Sequence, residues 1–234
     1  MRTTKIYWWS GARNANFGDV LGPRLFEHFT NKKAKLATPE KSELVIVGSI
    51  IEHLPKPYTG TIAGAGFIYE KSKADLSQAN VLALRGELSF KASGLKTKPL
   101  LADPGLVAPD LIDLNNVKVT HDIGVIAHYK HKADIHVPND AMLIDITWPI
   151  EDVIEAAAKC KAISSSSLHG LILADALGKS RQWVWADVVH GKGHKFYDYF
   201  TSIQQKTLPG KWEKASQQII KKKQELLREM LSCL

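Results

Sequence analysis

Cys160–Gly178 reads CKAISSSSLHGLILADALG. Ala162 and Ile163 form a short apolar strand, four serines follow, and a helix begins near Leu168. Leu168, Leu171, Ile172 and Ala176 recur at helical spacing, and Gly178 supplies the stop. Serine is a helix-capping residue, so the first turn offers free backbone N–H groups. A helix mouth preceded by small polar residues suits an anion, often a phosphate. His169 falls in that first turn, at the carboxyl end of a strand, where open α/β sheets bind their ligands. A plainer reading stands beside this one: ordinary serine caps and a half-exposed histidine.

The same unit recurs upstream. Lys5–Trp9 (KIYWW) is a strand of bulky β-formers, followed by the Gly/Asn-rich loop SGARNANFGD. A helix comes next, with Val20, Leu21, Leu25 and Phe29 on its core face and Pro23 in its first turn. Glu43–Val47, Thr61–Ala63, Asn80–Leu84 and Pro99–Ala102 are apolar strands, each followed by Gly or polar residues. Glu87–Ala92 is a short helix closed by Gly94. The second half begins with the strand Ile123–Ala127, followed by Ala141–Ile146, a helix from Pro149 to about Lys159, the Ile163 strand and Gln182–Trp185. Lys195–Ile203 is an aromatic helix, and Lys211–Leu231 is a long amphipathic one. Strands ending in Gly or polar residues and alternating with helices predict an α/β protein. The expected architecture is two Rossmann-like lobes with parallel sheets, residues 1–115 and 116–234, plus a C-terminal amphipathic helix at 211–231. The Pro/Asp/Asn-rich run Val107–Asn116 is the expected link.

Bulk properties narrow the function. Hydrophobic residues make up 44% and charged residues 24%, so a disordered chain is not expected. Cys160 and Cys233 make neither a disulfide framework nor a zinc site. No run approaches the ~18 apolar residues of a membrane span. The start, MRTTKIYWWSGARN, has no apolar leader, so the cytosol is the expected compartment. Net charge is +7, and the 43 residues from Lys192 onward carry nine Lys/Arg against four Asp/Glu, or +5 of it. A basic end suits anionic lipid, nucleic acid or phosphorylated substrates, or is simply a solvated helix face. No nucleic-acid recognition motif accompanies it, so nucleic acid is not an expected partner.

The chemistry-bearing residues gather at strand ends. The first half offers Asn16, Gly18, Asp19, Ser49, Gly64, Gly66, Arg85 and Asp103; the second offers His128, Ser165, Ser166, Ser167 and His169, with Lys195 at a helix start. The mix contains groups of the phosphate-binding kind (Arg85, Lys195, the serine hydroxyls and the helix N–H groups) and of the proton-donating kind (His128 and His169). No spacing matches a metal site, and no metal is expected. Ser166 and Ser167 lack the flanking glycines of a nucleophile elbow. Gly64-Ala65-Gly66 lacks the third glycine of a dinucleotide fingerprint. Each residue also has a structural reading: caps, tight turns or, for Asp103 before Pro104, a turn former.

Taken in order, NFGDVLGPRLFEHF, GSI, GAGF, ALRGELS, LADPGLVAP, IGVIAHY, ISSSSLHGLILADALG and HKFYDYF resemble the polysaccharide pyruvyl transferase family across roughly residues 7–200. The likeness is to short bacterial members that serve exopolysaccharide or surface-glycan synthesis. The resemblance implies a GT-B-like pair of Rossmann lobes around a cleft. It also implies phosphoenolpyruvate as donor, an oligosaccharide or lipid-linked saccharide as acceptor, and a cyclic pyruvate ketal as product, with no cofactor. Many members read S-x-R-x-H-G where this chain has Ser165 and His169-Gly170 but Ser167 at the arginine's place. The catalytic histidine thus carries over to His169, while the arginine's anion-binding role falls to Arg85 and Lys195.

The expected roles follow. His169 is the general acid, with Asp19 beside it as a catalytic group acting on sugar hydroxyls. Arg85, Ser165, Ser166, Ser167, His128 and Lys195 bind the donor. Asn16, Gly18, Ser49, Gly64 and Gly66 face the acceptor. Lys221–Lys223 offer a surface for anionic lipid on the inner face of the cell membrane. A nucleotide-sugar glycosyltransferase and a non-catalytic glycan-binding or assembly subunit are the alternative readings. The acceptor sugar and the oligomeric state stay open.

Overall fold

The structure is a computed structural model that describes residues 3–11 and 16–234. Residues 12–15 of the loop after the first strand lie outside the described residues. The first half runs β1 (Thr3–Ile6), α1 (Phe17–Thr30), β2 (Lys33–Leu36), β3 (Leu44–Val45), β4 (Thr61–Ala63), β5 (Asn80–Leu84), α2 (Glu87–Ser93) and β6 (Leu100–Leu101). A 3₁₀ segment, Pro104–Leu111, leads to the second half. That half runs β7 (His121–Ala127), β8 (Met142–Asp145), α3 (Ile150–Ala158), β9 (Cys160–Ser165), α4 (Leu168–Ala176), β10 (Ser180–Trp183), α5 (His194–Ser202), β11 (Trp212–Glu213) and α6 (Gln217–Ser232).

Both halves are Rossmann-like. The first sheet has the order β2-β1-β3-β4-β5-β6, with every pair parallel. Read from its far edge, the second is β8-β7-β9-β10-β11, parallel except where β11 joins β10. Counted from its own first strand, each sheet therefore begins 2-1-3-4-5. The order reverses between β1 and β3, and again between β7 and β9. At such a reversal the neighbouring connections leave in opposite directions and open a crevice at the carboxyl ends of the strands.

Local chemistry accounts for the helix that borders the first crevice. Asn16 caps α1 by accepting from the Asp19 backbone N–H at 3.2 Å, and Asn31 ends it in the left-handed region at φ 54°. Pro23 stands in the second turn of α1, not the first. Its missing N–H removes the intrahelical bond to the Asp19 carbonyl.

Several expected boundaries change. β2 was hidden because KAKL is an exposed edge with no apolar run. The helix expected over 211–231 is α6 at Gln217–Ser232, and Trp212–Glu213 is instead β11. The inward residues of α6 are Ile220, Leu227 and Leu231, while Leu226 is exposed. The link expected at Val107–Asn116 begins inside the core, since Leu106, Val107 and Ala108 of the 3₁₀ segment are fully buried. α4 is buried on nearly every side, so its apolar residues do not form one stripe.

One apolar cluster joins the halves. It includes Leu21 and Phe26 from α1, Leu106 from the 3₁₀ segment, Leu171 and Ile172 from α4, and Leu227 from α6. α6 belongs to the second half by sequence but straps both. Its Gln224 Nε2 donates to the Leu106 carbonyl at 2.8 Å and to the Ala176 carbonyl at 3.2 Å. Arg228 forks onto Asp110 at 2.7 and 2.9 Å. Lys223 also turns inward and donates to the Leu101 carbonyl, which removes it from the basic surface expected at Lys221–Lys223. Among the described residues no helix is long and apolar enough to cross a membrane. Leu227→Ala should cost about 2–5 kcal/mol in urea unfolding, the range for emptying a packed leucine site. Leu226→Ala, one residue earlier and 40% exposed, should stay within about 0.5 kcal/mol.

Candidate active site

The two crevices meet in one cleft of about 350 Å³. From the first half come Trp9 beyond β1, Asn16 and Asp19 at the start of α1, Gly48 and Ser49 beyond β3, and Tyr69 beyond β4. From the second come His128, Tyr129 and Lys130 beyond β7, Ser167 and His169 at the start of α4, and His190 and Lys195 before and within α5. The carboxyl ends of β1, β3, β7 and β9 thus supply most of the wall.

His169 sits where the halves touch. A Cβ on Gly18 would stand 2.0 Å from its Nδ1, so only glycine lets the first turn of α1 come this close to the ring. On the other side, a Cβ on Gly105 would meet its Cδ2 at 3.5 Å. The side chain keeps 12% exposure, but its Nε2 is buried without a hydrogen-bond partner, 3.9 Å from the Asp103 carboxylate. Burial, aided by the positive charges of Lys195 and Arg85, lowers the imidazole pKa to about 3. The ring is therefore neutral in the empty cleft at physiological pH.

Asp19 and Lys195 move in the complementary directions. Burial raises Asp19 to about 7, against the lowering effects of its hydrogen bond with Asn16 and the Lys195 charge. Burial lowers Lys195 to about 8, helped by Arg85 and opposed by Asp19. His128 is pushed down to about 3 by burial and then by Lys195 and Lys130. A base near 7 and an amine near 8 are poised for proton transfer and anion binding at neutral pH.

Arg85 is buried beneath the cleft and fully engaged. Its Nε donates to Asp198 at 2.9 Å, one terminal nitrogen donates to Ser49 Oγ at 2.6 Å, and the other donates to the Phe67 carbonyl. Asp198, on α5, also accepts from the Ser89 backbone at 2.8 Å and its hydroxyl at 2.6 Å. Arg85 thus positions Ser49 and α5, and reaches the cleft as field rather than contact.

The structure brings Asn16, Asp19, Ser49, His128, Ser167, His169 and Lys195 to the cleft wall. Gly18 lies against His169, behind the wall. Ser165 lies below it, its hydroxyl donating to the Ile126 carbonyl at 2.7 Å and accepting from the Ser167 backbone at 3.0 Å. Ser166 accepts from the His128 backbone at 2.9 Å. Gly64, at φ +132°, is held where a Cβ would strike the Pro104 ring, and a Cβ on Gly66 would meet the Arg85 guanidinium. These two glycines make room for Pro104 and Arg85 and do not line the cleft.

Sequence reasoning missed Trp9, His53, Tyr69, Tyr129, Lys130 and His190. Trp9, Tyr69 and Tyr129 are 47%, 49% and 41% exposed, and Trp9 stacks on His53 at 5.6 Å. An aromatic just beyond an apolar strand was the available signal. It is masked in KIYWW, which reads as one continuous strand although β1 stops at Ile6.

Two Rossmann-like sheets, with imidazoles, two lysines and one carboxylate lining the crevice at their strand ends, define a two-lobed α/β protein with a polar cleft. The chain belongs to the polysaccharide pyruvyl transferase family, whose profile matches residues 16–180. The succinoglycan biosynthesis protein ExoV of Rhizobium meliloti is 28% identical over 181 residues, covering 74% of this chain and 56% of that protein. The chain thus spans little more than half the length of that relative. Uncharacterized protein L143 of Acanthamoeba polyphaga mimivirus is 27% identical over 215 residues, covering 84% of this chain and 74% of that protein. No solved structure matches.

Below pH 6.5 the unfolded chain protonates His169 while the fold holds it neutral down to about 3. The unfolded state then binds more protons, so stability falls as pH drops. Its share of the loss between pH 7 and 5 should be about 2 kcal/mol. In urea unfolding the parent chain should therefore lose about 2 kcal/mol more than His169→Gln over that interval.

Proposed function

We propose that this protein moves the enolpyruvyl group of phosphoenolpyruvate onto two hydroxyls of one sugar, forming a pyruvate ketal and releasing phosphate. The observation that carries the reading is the polarity of the cleft: among the described residues, Lys195, Lys130 and four imidazoles, His53, His128, His169 and His190, line it with a single carboxylate, Asp19. Such a wall suits a small, multiply charged anion.

The residues divide the work as follows. Lys195, Ser167 and the backbone N–H groups opening α4 hold phosphate or carboxylate. His169 delivers a proton to the methylene carbon, C2 becomes oxocarbenium-like, and one sugar hydroxyl adds to it. The C2–O bond to phosphate breaks, and the second hydroxyl closes the ring. Of the two hydroxyl protons, one balances that gained by the methyl carbon and the other leaves with phosphate. Asp19, near pKa 7, takes the hydroxyl proton. The anionic donor opposes the burial that keeps His169 neutral, so substrate helps charge its own acid. Trp9 and Tyr69 offer flat apolar faces beside Asn16 and Ser49, a combination that suits the alternating C–H and hydroxyl faces of a saccharide.

A lipid-linked acceptor would bring the protein to the inner face of the membrane, where exposed Lys221 and Lys222 add attraction to anionic lipid. The test is labelled phosphoenolpyruvate with a panel of synthetic or lipid-linked oligosaccharides, read by mass spectrometry. His169→Ala should lower turnover at least ~100-fold with the fold intact. Trp9→Ala should raise the acceptor KM about tenfold and leave the donor KM unchanged. Stabilisation by nucleotide sugars instead of phosphoenolpyruvate would assign the cleft to glycosyl transfer. Glycan binding without pyruvate incorporation would make it a binding subunit.

A further inference from the structure

We propose that Asp103 is the positioning residue of His169: its free carboxylate oxygen accepts a hydrogen bond from Nε2–H and thereby leaves Nδ1 as the nitrogen that exchanges protons with substrate. The proposal rests on His169 being the proton donor of the reading above.

Three features of the geometry support it. His169 Nε2 has no hydrogen-bond partner and no accessible surface, although the side chain as a whole keeps 12% exposure. The accessible part of the ring therefore lies on its other atoms; Nδ1, the remaining nitrogen, borders Gly18 in the first turn of α1, next to Asp19. The Asp103 side chain is 1% exposed and 3.9 Å away, and one of its oxygens is already fixed by accepting from the Gly105 backbone at 2.8 Å. The other oxygen faces Nε2. Closing 3.9 Å to hydrogen-bond length takes about 1 Å, and contacts within catalytic sites are often long until substrate binds.

The charged groups around the pair come from every side. Lys195 and Asp198 lie on α5, Arg85 follows β5, and Asp19 follows Gly18 on α1. Asp198 is already bonded to Arg85, and Lys195 opposes an imidazolium. Asp103 is the carboxylate within reach of Nε2. Burial raises its pKa to about 6, below neutrality, so it is available as an acceptor. Near an ionised carboxylate, the buried imidazole regains the basicity that burial and two cations remove. Gly18 and Gly105 confine the ring, so a tautomer set at Nε2 is also a direction set at Nδ1.

Asp103→Asn is the informative variant. The Gly105 N–H still requires an acceptor, so the amide oxygen stays there and the amide nitrogen turns toward Nε2. A donor at that place forces the proton onto Nδ1, the wrong tautomer for this role. The ¹⁵N shifts of His169, assigned by comparison with His169→Gln, should show Nε2–H in the parent chain at pH 7.5 and Nδ1–H in Asp103→Asn. Turnover of Asp103→Asn should fall about 10²–10⁴-fold with the phosphoenolpyruvate KM within twofold, and the inflection of the kcat–pH profile that reports His169 should move to lower pH. Asp103→Glu should restore part of the rate. An Nδ1–H tautomer in the parent chain, or an unchanged tautomer and kcat in Asp103→Asn, overturns the proposal. Because the tautomer is read without substrate, it decides the matter even if no pyruvyl transfer is found, an outcome that would instead defeat the functional reading.

Discussion

The buried ion pair of Arg85 and Asp198 ties the two halves at the level of the cleft. Removing both charges from water is costly, and their attraction offsets that cost only where the remaining valences are filled. Here they are. Arg85 also reaches Ser49 and the Phe67 carbonyl, and Asp198 also receives two bonds from Ser89. The pair sits three residues from Lys195 on α5, so the lysine's height over the first sheet is fixed by it. A second buried group, Asp175 with Arg181 and Tyr199, joins α4 to β10 and α5 and so sets His169 relative to Lys195.

Against that frame, burial governs the charges in the cleft. It pushes Asp19 up, Lys195 down, and His128 and His169 down. Each group is driven toward its neutral form in the empty site. The anionic donor of the proposed reaction would reverse the balance for the cationic groups, because it would supply the opposite charge that the protein withholds. In the proposed reaction, donor binding and imidazole protonation are then linked, because each favours the other.

Much of the architecture was legible in sequence because buried parallel strands are written as apolar runs with Gly or polar ends. Thr61–Ala63 and Asn80–Leu84 are found at those residues, and α4 starts at Leu168. Edge strands are not written that way. β2 is four residues of KAKL, and β11 is two residues that the pattern assigns to a helix. Of the candidate site, His169, Asp19, Lys195, His128, Asn16, Ser49 and Ser167 were legible as strand-end or helix-start residues. Ser165, Ser166, Gly64 and Gly66 occupy equivalent sequence positions but hold backbone or leave room for neighbours.

The sequence alone determined the family, the alternation of strand and helix, and the helix mouth that carries His169. These are local properties: periodicity, capping chemistry and ordered motifs. Only the tertiary structure decided that Arg85 is spent on Asp198, that Lys223 turns inward, that aromatic side chains flank the cleft and that Asp103 faces the back of the imidazole. Each of those depends on side chains many residues apart meeting in a space from which water is excluded. Burial and partner, unlike propensity, are not properties that a residue carries with it along the chain.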